Sequence, residues 1–264
     1  DDTLLPDQTF STEHRMTLGG TEIELHHARG ETDDHLWCFV PDKKWIMTGD
    51  FVIWNFPNAG NPQKVQRYPI DWAKALRRMI AQQPELLLPA HGLPIEGKDR
   101  IARVLGEIAT ALENLTSEVL QMMNSGHTLN DIVHTVRVPN DTIALPYLRP
   151  LYDEPEFVVH NVWRQFGGWW DGEASHLKPS RNADLGSALA ALAGGPMVLI
   201  HRAMEAMNEG DHRLACELAD FAGWAAPDDP EVHEARSLIF NQRRKAELSL
   251  MAKGIYNCLL YTSP

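Results

Sequence analysis

The sequence predicts an α/β part followed by an all-α part, and three observations carry that reading. Up to about residue 97, short apolar runs of strand length alternate with turn signals and a single amphipathic helix. From Asp99 the apolar residues recur at helical spacing over a long stretch. Beyond about Pro179 every apolar segment is helix-length, and the links between them are short and polar or glycine-rich.

Taken in order, Met16-Thr17-Leu18 and the run Thr21 to His26 flank Gly19-Gly20, a hairpin turn signal. The runs Trp37 to Val40 and Trp45 to Met47 form a second pair around Asp42-Lys43-Lys44. From Asp50 to Arg67 the chain is aromatic and rich in Pro, Asn and Gly without any period, and it is too long for a tight connection, which predicts a functional loop. The spacing of Trp72, Ala75, Leu76 and Met79 predicts a helix over 70–82, and Leu86 to Leu88 a strand that empties into Pro89-Ala90-His91-Gly92. Ile101, Val104, Leu105, Ile108, Leu112, Leu115 and Val119 form one stripe of a long helix that Ser125-Gly126 ends. Thr128 reads as the cap of a shorter helix, 139–155 as an irregular proline-rich passage, and 160–166 as a helix that meets Gly167-Gly168-Trp169-Trp170-Asp171-Gly172. Four helices follow, over 185–192, 197–208, 212–225 and 230–246, with small Ala residues suited to close packing.

The 264 residues suffice for two domains, with 44% hydrophobic and 23% charged residues, as in a soluble globular chain. A net charge of -12 argues against a nucleic-acid partner, which needs clustered Lys and Arg. No apolar run approaches the roughly 18 residues of a membrane span. The three cysteines, Cys38, Cys216 and Cys258, are scattered and show no zinc-finger or C-x-x-C spacing, so no disulfide framework is expected.

The residues that carry chemistry lie at the ends of strand-like runs. Gly30-Glu31-Thr32-Asp33-Asp34-His35 follows one, Gly49-Asp50 another, and His91 a third. Singly each is weak, since an acid after a strand is often a turn former. Together they present carboxylate and imidazole groups from separate elements at one sheet edge. Those are the donor types that bind zinc, at about 2.0–2.2 Å. His26-His27 is no chelating pair, because adjacent strand residues point to opposite faces.

Gly30-Glu31-Thr32, Thr48-Gly49-Asp50 and Pro89-Ala90-His91-Gly92 resemble the later metal motifs of the metallo-β-lactamase fold. Glu31 stands where that family ordinarily has His, a departure that resembles its alkyl sulfatase branch. The tract from Lys98, with His160-Asn161-Val162-Trp163 and Gly168-Trp169-Trp170-Asp171-Gly172, resembles the alkyl sulfatase dimerisation domain. The resemblance implies that residues 1–97 are the C-terminal part of an αββα catalytic domain incomplete at its N-terminus. It implies a helical dimerisation domain over 98–257, which would form a homodimer. It further implies two Zn2+ ions, with Glu31 on one, His91 on the other and Asp50 bridging. Asp33, Asp34 and His35, beside Glu31, are expected to orient the ligands or their loop, since metal-binding His and acids need outer partners. The substrate would be a small alkyl sulfate, split to alcohol and inorganic sulfate, with Asn58 and His160 facing the sulfate, and Arg67 is expected to add positive charge to a sulfate oxygen. Trp54, Phe56, Trp169 and Trp170 are either an alkyl-chain wall or core aromatics.

The family's first metal motif, His-x-His-x-Asp-His, occurs nowhere in the 264 residues. It is expected upstream of residue 1, and the chain by itself is expected to bind zinc poorly and not to turn over. The chain opens Asp1-Asp2-Thr3 without Met, and the tail over 258–264 resembles a translated sequencing adapter. That tail is expected to be non-native, after a helix ending near Tyr256, and the compartment is unreadable. Two alternatives stay open: a hydrolase of the same fold acting on another ester, lactone or phosphodiester, and a non-catalytic dimerisation scaffold.

Overall fold

The computed structural model describes residues 4–262, with the backbone alone for 259–262. Asp1 to Thr3 and Ser263-Pro264, the outermost residues of the two end segments, lie outside the described residues. The chain divides into two compact units, Asp1–Gly172 and Glu173–Pro264.

The first unit is built on a six-stranded sheet in sequence order: β1 (Glu13–Leu18), β2 (Thr21–His27), β3 (Leu36–Val40), β4 (Trp45–Met47), β5 (Leu86–Leu88) and β6 (Ile95–Glu96). All neighbours are antiparallel except β4 and β5, which run parallel with Ile46 opposite Leu87. Gly19 and Gly20 both have positive φ, as the expected β1–β2 hairpin turn requires. β6 is a two-residue strand that sequence periodicity does not reveal.

Helix α1 (Pro69–Ala81) spans the crossover between β4 and β5, and α2 (Lys98–Asn124) follows β6. Every member of the predicted α2 stripe is buried. α2 packs on α1 and on α5 (Pro155–Gly167), so sheet, α1, α2 and α5 share one core that runs from Trp37 to Trp163. The compact unit therefore runs to Gly172, and the change of character near residue 97 falls inside it. An apolar stripe that long must be buried, and α1 offers the matching face. Between α2 and α5 lie α3 (Leu129–Thr135), capped by Thr128, and the single turn α4 (Asn140–Ile143), which interrupts the passage expected to be irregular. α5 starts five residues earlier than 160, because Pro155 at its first position fixes a helical φ and needs no N–H acceptor.

Among the described residues the second unit holds a 3-10 turn, Ala174–Leu177, and five α-helices: α6 (Asn182–Ala193), α7 (Pro196–Glu209), α8 (His212–Ala225), α9 (Pro230–Ala246) and α10 (Leu250–Thr262). Its core is dominated by Ala203, Ala206, Ala215, Ala219 and Ala222, with Ile200, Val232 and Phe240. α10 continues through the residues expected to form a non-native tail, past Tyr256 to Thr262, and Tyr256 packs against Phe240 with ring centroids 6.0 Å apart. Among the described residues no single helix is long and apolar enough to cross a membrane; α6 and α7 together would be, but they bend by 85° at Gly194-Gly195.

Candidate metal and anion site

The turn between β2 and β3 places Glu31, and a single 3-10 turn after β4, Gly49–Phe51, places Asp50. His35 joins the two. Its ring stacks on Phe51 at 4.4 Å, with Nδ1 3.2 Å from the Glu31 amide and Nε2 3.4 Å from the Asp50 amide. A neutral imidazole has one acceptor nitrogen, so the ring accepts from one of these amides at a time, and the shorter distance favours Glu31. Burial lowers the His35 pKa and keeps the ring neutral. Glycine is required on both sides of it: a Cβ on Gly30 would stand 2.3 Å from His35 Nδ1, and one on Gly49, where φ is +55°, 2.5 Å from Nε2.

The Glu31 and Asp50 side chains are brought together. Glu31 is pushed up to about 7, by burial first and then by a side-chain hydrogen bond with Asp50, against the pull of Arg67. Asn58 Nδ2 donates to Glu31 Oε1, Arg67 Nη2 lies 3.3 Å from the same oxygen, and Arg67 Nη1 donates to the Asn58 carbonyl. Asn58 and Arg67 are 2% and 5% exposed. Two carboxyl groups that share a hydrogen bond, one of them half-protonated near neutrality, fit a divalent cation, which would replace the shared proton. Arg67 competes for one of those oxygens.

His91 is not drawn into this pair. Its loop is tied beside Asp50, with the Ala90 amide donating to the Gly49 carbonyl at 3.0 Å and Trp54 Nε1 to the Leu93 carbonyl at 2.9 Å. The imidazole itself is exposed, and among the described residues no three His, Cys, Asp or Glu side chains converge on a point that could hold a metal. The tethers fix the backbone of the loop and leave its side chain in solvent.

The three expected sulfate contacts also separate. His160 is exposed on α5 and lines a cleft of about 400 Å3 with Asn61, Pro62, Phe157, Arg164 and Trp169, whereas Asn58 and Arg67 turn away to the Glu31 carboxyl. A buried guanidinium seeks an anion, and Glu31 is the one in reach. Of the residues expected behind the ligands, His35 alone touches them. The Asp34 carboxylate accepts from Thr32 Oγ1 at 2.7 Å, Asp33 lies 3.8 Å from Arg29, and both acids are exposed. Phe56 is a fully buried core ring, and Trp169 is 74% exposed at the rim of the cleft.

Sequence reading passed over two residues, Asp153 and Asn161, buried beneath the Asn58–Arg67 loop. The available signal was a polar residue at a helix position flanked by the buried Val158, Val159 and Val162.

Residues 128–262, about half of the chain, match the alkyl sulfatase dimerisation family. The chain belongs to that family. The linear primary-alkylsulfatase of a Pseudomonas strain is 25% identical over 256 residues, covering 96% of this chain and 48% of its own length. The alkyl/aryl-sulfatase of Saccharomyces cerevisiae is 23% identical over 227 residues, covering 84% of this chain and 35% of its own. Among solved structures, the stereoselective inverting sec-alkylsulfatase from Pseudomonas sp. superposes with a TM-score of 0.85 at 22% identity, over 94% of this chain and 40% of that one. A double mutant of the same sec-alkyl sulfatase gives 0.87 at 21% identity, over 96% and 41%. This family member thus has their fold over almost its whole length, and spans about half or less of the length of the relatives it matches.

Proposed function

We propose that this chain is the C-terminal part of a zinc-dependent sulfuric ester hydrolase that cleaves alkyl sulfates to alcohol and inorganic sulfate. In this reading residues 1–97 belong to a metallo-β-lactamase-like αββα catalytic domain, and 98–257 to a helical domain that pairs two protomers. The observation that carries it is the Glu31–Asp50 carboxyl pair, in a chain whose curated relatives are alkylsulfatases. Glu31 and His91 would each hold one of two zinc ions, with Asp50 between them. Two such ions, when bound, supply a nucleophilic water near neutral pH and charge to oppose the developing anion. Asn58 and Arg67 hold the Glu31 carboxyl in place by donating to it. His160, at the mouth of the cleft, would face the sulfate, and Phe157 and Trp169 give the alkyl chain an apolar wall.

The test compares the 264-residue chain with the longer protein that includes its upstream sequence, on dodecyl sulfate, a phosphodiester and a lactone. The longer protein is expected to carry zinc, elute as a dimer and release sulfate from dodecyl sulfate in preference to cleaving the other two. The chain alone is expected to show neither stoichiometric zinc in elemental analysis nor turnover. Preference for the phosphodiester or lactone would replace the substrate class. One observation favours a second reading, a non-catalytic dimerisation scaffold: Arg67 already lies 3.3 Å from a Glu31 carboxyl oxygen that a metal ion would need. A longer protein that dimerises without zinc or turnover would establish that reading instead.

A further inference from the structure

The loop that presents Asn58 and Arg67 is buried along much of its course, which obliges its backbone groups to find partners inside the protein. They find them on α5 and the residue just ahead of its cap. The Gly60 amide donates to Asp153 Oδ2 at 2.8 Å, and Asp153 Oδ1 accepts from the Glu154 amide at 2.7 Å. Asn161 Nδ2 donates to two carbonyls of the loop at once, Ala59 at 2.8 Å and Arg67 at 2.9 Å. The Gln66 side chain returns a bond to the Asn161 carbonyl at 3.0 Å, and Arg164 ties Gln66 Oε1 and Asn161 Oδ1 together. The approach is as close as a backbone allows: a Cβ on Gly60 would lie 2.2 Å from the Phe157 and Val158 main chain. Asp153 is fully buried, and Asn161 is 4% exposed.

We infer that Asp153 and Asn161 are positioning residues, which clamp the 58–67 loop at both its ends and thereby aim the Arg67 guanidinium and the Asn58 amide at the Glu31 carboxyl. Both lie within the matched family region, 128–262, so that region supplies part of the support of the carboxyl pair as well as the helical array. Neither residue touches Glu31; each acts through the loop. Their relevance to catalysis rests on the proposed ligand role of Glu31, whereas the clamp itself does not.

The test is hydrogen exchange by NMR on the 264-residue chain, reading the Gly60 amide, the Arg67 Nε–H and the amides of β2, β3 and α1. Arg67 Nε is buried without a hydrogen-bond partner, so its exchange reports directly on loosening of the guanidinium. Asn161→Ala and Asp153→Ala are expected to accelerate exchange at Gly60 and Arg67 by about tenfold or more, with β2, β3 and α1 unchanged. Asp153→Asn keeps an acceptor for Gly60 and is expected to return its exchange most of the way to the parent rate. In Asn161→Ala the Arg67 Nε–H resonance should move in the direction it moves in Glu31→Gln. Uniform acceleration across the unit would reduce the pair to ordinary core residues, and unchanged exchange at Gly60 and Arg67 would overturn the inference. If an alanine variant fails to fold, Asn161→Asp, which removes the amide that donates to the Ala59 and Arg67 carbonyls, carries the same comparison. No hydrolysis is read, so an inactive longer protein would remove the sulfatase reading and leave the clamp standing.

Discussion

The two compact units fill their interiors in opposite ways. In the first, large rings and branched chains such as Trp37, Trp72, Phe51 and Ile101 surround a buried polar seam of Asn58, Arg67, Asp153 and Asn161. In the second, the interior is mostly alanine, and Ser249 is its one buried polar residue among those described. Buried polar groups cost free energy unless every one is satisfied, so a fold that keeps such a seam holds it for a geometric purpose. Small side chains cost little and let helices approach closely. The carboxyl pair and the polar seam both lie in the first unit.

The sharpest way to break that contrast is to remove the charge at the centre of the seam. Arg67→Leu takes the guanidinium from the Glu31 carboxyl, which keeps the Asn58 amide, and leaves the Asn58 carbonyl without its donor; loss of one member of a largely buried pair costs about 3 kcal/mol. Peptide-resolved hydrogen exchange should show that loss in residues 4–172 and none in the helices from α6 onward. An equal loss in both units would mean that the seam supports the whole chain and is not specialised.

The corresponding experiment in the second unit is steric. A Cβ on Gly186 of α6 would stand 2.8 Å from the Phe221 carbonyl and 2.9 Å from Trp224 Cβ on α8. Gly186→Ala should therefore cost about 2 kcal/mol by overpacking, although alanine is the better helix former. A stabilised variant would show that α6 and α8 are free to part, and that the alanine-rich core is looser than its contacts imply.

The units should also differ in their response to pH. Glu31 and Asp153 are each pushed up to about 7, Asp153 by burial that outweighs the backbone bonds from Gly60 and Glu154. An acid whose folded pKa lies above its ordinary value binds its proton more tightly when folded. The first unit is then most stable below the ordinary values of 4.5 and 3.8, loses stability as pH rises towards 7, and changes little above. In the second unit burial raises Asp220, with Arg236 opposing, so the slope has the same sign and is shallower. Urea midpoints read by unit between pH 5 and 8 check this, since that interval spans the upper part of the fall and the level range above 7. Asp153→Asn should flatten the slope of the first unit; a slope of opposite sign would mean that both carboxyls are ionised in the fold.

What the sequence disclosed follows the same division. Periodic features were legible: the Gly19-Gly20 hairpin, the α2 stripe and the helices α6 to α9 all lie where spacing puts them, because period alone decides which face is buried. Glu31 and Asp50 were legible as a pair, since each ends a strand at the same sheet edge. The direction in which a side chain turns was not. Arg67 and Asn58 face the Glu31 carboxyl instead of the cleft with His160, and Asp33 and Asp34 turn to Arg29 and Thr32. These choices depend on which partner is nearest after folding, and partners such as Asn161, some 94 residues from Arg67, leave no trace in the sequence around Arg67.

The smallest effect lies at the start of α3, where the polar interactions are exposed and local. Thr128 Oγ1 accepts from the Asp131 amide at 3.2 Å, and Asp131 Oδ2 accepts from the Thr128 amide at 3.1 Å. Behind this cap the Leu129 amide donates to the Asp171 carbonyl at 2.8 Å, which joins α3 to the Trp169-Trp170-Asp171-Gly172 segment. Thr128→Ala removes the hydroxyl acceptor but keeps the return bond from Asp131, so it should cost about 1 kcal/mol. Exchange should quicken at the Asp131 and Ile132 amides and stay unchanged at Gly60. The Thr128 bonds hold Asp131 below the ordinary carboxylate range, so this cap is intact at neutral pH and weakens as acid protonates the carboxylate, opposite in sign to Glu31 and Asp153. If Thr128→Ala also loosened Gly60, the clamp on the 58–67 loop would extend through α3, and the polar seam would have to be redrawn to include the cap.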